Sequence, residues 1–181
     1  MVGCWERSPI GPFADVMWAT PDGQRRLLVP SGAAGAFVSA VYTFDRVDVV
    51  PLVAALAGAE LDVTAGDVRL HVTGGRGWRI PFAPLRTPAV TRWVEAPVAH
   101  ALVRVQTYGT SPTGVREWYR ADEYRPVAAA RATVAGRDLG PLRPRWKAAA
   151  FGFSEPPRRA AMVRVRPMLA DPSGRLDAVL P

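Results

Sequence analysis

The chain has no asparagine, one lysine (Lys147), one cysteine (Cys4), two histidines (His71, His100) and isoleucine only at 10 and 80. A single cysteine excludes an intrachain disulfide and any multi-cysteine metal site. Two histidines cannot build a histidine-rich metal centre, so neither a metal nor a cofactor is expected. The longest apolar run, Val49 to Ala59, is about half of the ~20 residues that a membrane-spanning helix requires, so no membrane insertion is expected. The opening residues, Met1-Val2-Gly3-Cys4-Trp5-Glu6-Arg7, hold no basic region followed by an apolar core, the pattern of a secretory signal. A cytoplasmic location is the expectation.

Set against these shortages are 181 residues, 49% of them hydrophobic, and a formal charge of +7. A chain of this size buries ~70% of its unfolded surface, enough for one domain with a real core. Twenty-two arginines against the one lysine, with asparagine absent, read first as the codon bias of a GC-rich genome. Such a bias explains Arg in place of Lys, but less well an excess of Arg over acid. That excess is one-sided. Residues 1–90 carry eight arginines and eight acids, whereas 91–181 carry fourteen arginines, Lys147 and eight acids.

Within the second half, residues 137–166 place Arg137, Arg143, Arg145, Lys147, Arg158, Arg159, Arg164 and Arg166 against only Asp138 and Glu155. Trp146, Phe151 and Phe153 are interleaved with them. Guanidinium forks match phosphate oxygens and aromatic rings can stack on bases, so nucleic-acid association through this segment is one reading. A solvated Arg-rich loop with aromatics capping the core is the other. Prolines 141, 144, 156, 157 and 167 predict an irregular layer rather than a recognition helix.

The remaining pattern predicts strands. Phe13 to Thr20 and Arg26 to Val29 flank Pro21-Asp22-Gly23 and read as a hairpin. Ser31 caps a helix carrying Ala34, Phe37, Val41 and Phe44 on one stripe. Arg46 to Val53 reads as a buried strand, and Leu61–Thr64 with Val68–Thr73 as a second hairpin around Ala65-Gly66-Asp67. Ala89 to Val103 has a helical stripe broken by Pro97, and Val103 to Tyr108 can follow as a strand. Arg116 to Tyr124 fits either a short helix or an aromatic strand. Val127 to Val134 and Ala161 to Leu169 read as strands. The expected architecture is one α+β domain over 1–181, mostly antiparallel sheet that can curl into a partial barrel, with about two helices.

Sites are sparser. Walker A, Gly-x-Gly-x-x-Gly and Gly-x-Ser-x-Gly patterns are absent, and Cys4, Ser111 and Ser154 have no activating neighbours in sequence, so no catalytic residue is assigned. Thr73-Gly74-Gly75-Arg76-Gly77, followed by Arg79, is the nearest approach to an anion cradle, through exposed amides beside two arginines; a flexible hairpin end is the plainer alternative. The densest polar-aromatic stretch is Arg116-Glu117-Trp118-Tyr119-Arg120-Ala121-Asp122-Glu123-Tyr124-Arg125. As a strand it aligns Arg116, Trp118 and Arg120 on one face, a row able to clamp a planar anion by stacking and charge. Cross-strand ion pairing over a core aromatic is the alternative there.

The leading functional expectation is a non-enzymatic module that binds a small anionic molecule or an acidic protein. Its ligand candidates are Arg116, Trp118 and Arg120, with Gly75, Arg76 and Arg79 as a second region. Nucleic-acid binding through 137–166 is the first alternative. An enzyme using His71 or the carboxylates of Glu117, Asp122 and Glu123 is the second. The phrases GPFADVMWATPDG, TYGTSPTGVREWYRADEYRPV and GFSEPPRR together resemble an uncharacterised family of small proteins from high-GC actinobacteria, over most of the chain. The resemblance implies kinship, and brings no activity, cofactor or catalytic residue onto these positions.

Overall fold

The structure is a computed structural model that describes residues 1–80, 108–145 and 147–180. It is mostly strand, with one helix among the described residues. The elements are β1 (Val2–Trp5), β2 (Phe13–Ala19), β3 (Arg25–Val29), α1 (Gly32–Val41), β4 (Arg46–Val49), β5 (Leu52–Ala57), β6 (Glu60–Ala65), β7 (Val68–Gly74), β8 (Trp78–Arg79), β9 (Tyr108–Thr110), β10 (Arg116–Val134), β11 (Arg137–Asp138) and β12 (Ala161–Ala170). The helix expected at Ala89 to Val103, and most of the strand expected at Val103 to Tyr108, lie outside the described residues.

The first sheet runs β1-β2-β3-β4. Its hairpin forms where the turn chemistry placed it: Gly23 takes φ +92°, and Thr20 Oγ1 and the Gln24 backbone close the loop across 3.0 Å. β4 returns parallel to β3, with Leu27 opposite Val47, and α1 is the crossover between them. Ser31 caps α1 by accepting from the Ala34 amide at 3.2 Å. Replacing Ser31 with alanine is expected to cost about 1 kcal/mol, read by urea denaturation, because one first-turn amide loses its acceptor. Phe44, expected on the helical stripe, lies beyond the last turn and packs on the core from the connection to β4. Gly35 is explained by contact: a Cβ there would press on Val47 Cγ1 at 3.1 Å.

This sheet is covered on both faces. Met17, Leu27 and Val29 pack with Ala34 and Val38 of α1 and with Ala149 and Phe151. Val16 and Leu28 face the other way and pack on Val63 and Ala65 of the second sheet. Burial on both sides is why β2 and β3 read as continuous apolar runs rather than alternating ones.

The second sheet has the order β11-β10-β7-β6-β5, with β8, β9 and β12 also paired to β10. The hairpin of β6 and β7 turns at Gly66, φ +56°. Neither sheet closes into a barrel among the described residues: β1 and β4 end one, and β5 ends the other. The Val-rich stretch Arg46 to Val53, expected as one buried strand, is split between the two sheets around Val50 and Pro51. Val47, Val49 and Val53 are exposed, because β4 and β5 are edge strands.

β10 is the spine. The two segments expected at Arg116 to Tyr124 and Val127 to Val134 form a single strand of 19 residues. β12 pairs with residues 116 to 126, while β9, β8 and β7 line the opposite edge in turn. Pro126 is tolerated where the pairing changes hands, its carbonyl accepting from Gly75 N at 2.7 Å. Register shifts at Asp122 and Ala128 break the ribbon into three differently aimed stretches.

Candidate functional site

The alternation along β10 divides the polar-aromatic stretch as its spacing implies: Arg116, Trp118 and Arg120 share one face and Glu117 and Tyr119 the other. The two faces have different fates. Glu117 is fully buried and Arg116 is exposed.

On the inner face, Glu117 Oε2 accepts from Tyr119 OH at 2.6 Å and from Tyr42 OH at 2.9 Å. The two hydroxyls also touch each other. Phe153 stacks on Tyr119 with ring centroids 5.4 Å apart, and a Cβ on Gly109 would collide with the same Phe153 ring. A Cβ on Gly152 would lie 2.7 Å from Tyr42 Cδ1, so the loop crosses the phenol only because glycine stands there. Burial raises the Glu117 carboxyl above its usual range, opposed by the two phenolic hydrogen bonds. Burial likewise drives both phenols upward, so neither supplies a phenolate. This cluster locks the end of α1 to β10. It escaped sequence reasoning because Tyr42 and Glu117 stand 75 positions apart.

On the outer face the register assembles a row structure. Trp118 lies between Tyr108 of β9 and Met168 of β12, and its ring meets Tyr108 at 5.3 Å. Arg120 lies directly opposite Arg166. Past the bulge at Asp122, Glu123 is flanked by Arg79 of β8 and Arg164 of β12. The sheet therefore brings Arg79 to the Arg120 face, joining two candidate regions that are far apart in sequence. Arg125 completes the set, 3.0 Å from Glu123 Oε1.

Among the described residues, two carboxylates serve six arginines here. Arg166 Nε is 2.8 Å from Asp122 Oδ2 and Arg120 Nε is 3.7 Å from Asp122 Oδ1. Neither approach has hydrogen-bond geometry, and Arg120 Nε and both Asp122 oxygens are buried without a hydrogen-bond partner. Glu117, Asp122 and Glu123 do not converge: the first is sealed beneath the sheet while the other two lie among arginines.

The glycine turn is more occupied than an open cradle. Gly74 N donates to Ala59 O and Gly75 N to Pro126 O, both at 2.7 Å, while Gly75 O accepts from Arg125 Nη1 at 2.7 Å. Two of the amides are thus committed to the sheet, and Arg76 is exposed beside them.

The segment 137–166 is only partly irregular. Arg137 and Asp138 form β11, and Arg164 and Arg166 belong to β12. Arg145 is 3.0 Å from Glu155, whose carboxylate also accepts from the amides of Ala149 and Ala150 at 2.7 and 2.8 Å. Phe151 is in the core and Phe153 lies on Tyr119, so these rings are engaged by the fold. Trp146 lies outside the described residues.

His71 sits in a depression of about 240 Å³ on the β6–β7–β10 surface, lined also by Asp62, Arg69, Arg131 and Thr133. Its Nδ1 is 2.7 Å from Asp62 Oδ1 and its Nε2 is 3.3 Å from Glu60 Oε2. The carboxylates occupy opposite ring nitrogens and cannot meet on one ion, and among the described residues no cluster is suited to a metal. His100 lies outside those residues. No helix among them is long and apolar enough to cross a membrane.

No family model matches this chain, and no curated protein or solved structure matches it either.

Proposed function

We propose that the protein is a binding module for an anionic partner, a phosphate- or carboxylate-bearing small molecule or an acidic protein, engaged on the outer face of β8, β10 and β12. The reading rests on one observation: Arg120 stands opposite Arg166, with Arg79 and Arg164 a few residues along, and among the described residues Asp122 and Glu123 are the carboxylates beside them. Like charges directly opposite in a sheet are destabilising. A face that keeps such a pair with an incomplete set of counter-charges is suited to an external anion that supplies the missing oxygens. Arg79, Arg116 and Arg164 have no ion pair among the described residues, which leaves their forks available. The unit taken to act is the whole α+β chain, in the cytoplasm, and kinship with the actinobacterial family adds no activity to this reading.

Titration calorimetry with inorganic pyrophosphate and with citrate, at low salt, tests it. Heat of binding that weakens as salt rises is expected. Arg120→Ala and Arg166→Ala are each expected to weaken binding about 10- to 100-fold, the range for one hydrogen bond to a charged group. Absence of binding to both probes at low salt overturns the proposal.

A further inference from the structure

We infer that the anion this face takes is a nucleotide, with its base on the Trp118 row and its phosphates on the Arg120–Arg166 row. The inference rests on the anion-binding reading above and specifies its ligand. Two features of the same face carry it.

The first is the order of the rows. Tyr108, Trp118 and Met168 lie side by side across β9, β10 and β12, giving an apolar strip with an aromatic at its centre. Two residues along β10, Arg120 and Arg166 form the next row. Two strand residues advance about 7 Å, comparable to the separation between the base and the first phosphate of a nucleotide. Arg79 and Arg164 come beyond them, placed for a second phosphate.

The second is the half-buried state of Trp118. It touches Tyr108 within the face and still reaches solvent, which a ring needs if it is to stack on a base.

The test compares ADP, GDP, UDP and CDP with inorganic pyrophosphate by titration calorimetry on the full chain. At least one nucleoside diphosphate is expected to bind about 10-fold or more tightly than pyrophosphate, the range for one stacked base. Trp118→Leu is expected to erase that preference while leaving pyrophosphate affinity within about 2-fold. Pyrophosphate binding as tightly as every nucleotide to the unaltered protein overturns the inference and leaves the anion-binding reading standing. Failure of all five probes overturns the inference, and failure of citrate as well overturns the anion-binding reading. The comparison on unaltered protein decides the matter even where a Trp118 variant does not fold.

Discussion

Replacing Glu117 with alanine is expected to cost about 3–5 kcal/mol of unfolding free energy at pH 7, read by urea denaturation. The carboxylate is fully buried and is the shared acceptor for two phenols. Its removal leaves a cavity between α1, β10 and the loop carrying Gly152 and Phe153. It also leaves two part-buried hydroxyls without their shared acceptor. Glu117→Gln keeps a carbonyl oxygen in place of Oε2 and is expected to cost about 1 kcal/mol. The contrast between the two variants separates the packing and acceptor roles from the charge. A loss below 1 kcal/mol for the alanine variant would sink the claim that this cluster fastens α1 to the second sheet.

The second large effect concerns pH. Asp15 is 1% exposed on β2, and burial raises its carboxyl from 3.8 to about 6, against the hydrogen bond that Trp5 Nε1 donates at 2.6 Å. A carboxyl raised in the folded state holds its proton where the unfolded chain has already released it. Its contribution to stability is therefore fully present below pH 3.8 and lost as pH climbs through 6. The size of that loss is about 3 kcal/mol. Asp15→Asn is neutral throughout and does not share it. The stability difference between variant and parent is expected to move by about 2.5 kcal/mol in the variant's favour from pH 4 to pH 7.5, measured by urea melts across the range. Taking the change with pH removes any constant cost of the amide, whose nitrogen replaces an oxygen that has no hydrogen-bond partner. A pH-independent difference would show that Asp15 is not desolvated as its burial requires.

Both effects arise from carboxylates on strands whose polarity pattern gives no warning. In β2 the sequence Phe-Ala-Asp-Val-Met-Trp-Ala reads as a buried strand with one stray acid. Nothing local says that Asp15 faces inward toward Trp5. A Cβ on Gly3 would collide with the Asp15 carboxylate and the Trp5 ring, so this glycine marks the crossing after the fact. Glu117 was legible as facing away from Arg116 and Trp118, since strand alternation requires it. That the opposite face is the buried one depends on Tyr42 and Phe153, which arrive from other parts of the chain.

The arginine face shows the same division. The row Arg116, Trp118 and Arg120 follows from spacing once the segment is a strand. Simple alternation then assigns Glu123 to the Glu117 face. The single extra residue at Asp122 reverses that parity and delivers Glu123 to the arginines. Likewise Arg164 and Arg166 were legible as strand residues within Ala161 to Leu169, but their place opposite Glu123 and Arg120 is set by the edge that β10 offers β12.

Local chemistry was enough for the turn at Gly23, the Ser31 cap, the hairpin of β6 and β7 and the apolar rows of β2 and β3, since each depends on neighbours within a few positions. The pairing of β10 with strands on both its edges was decided by contacts between distant segments. So were the bulges that re-aim its side chains and the sealing of Glu117 beneath two tyrosines. Charge excess is a property of composition, whereas the meeting of Arg79, Arg120, Arg164 and Arg166 on one surface requires a sheet to hold three separate strands in register.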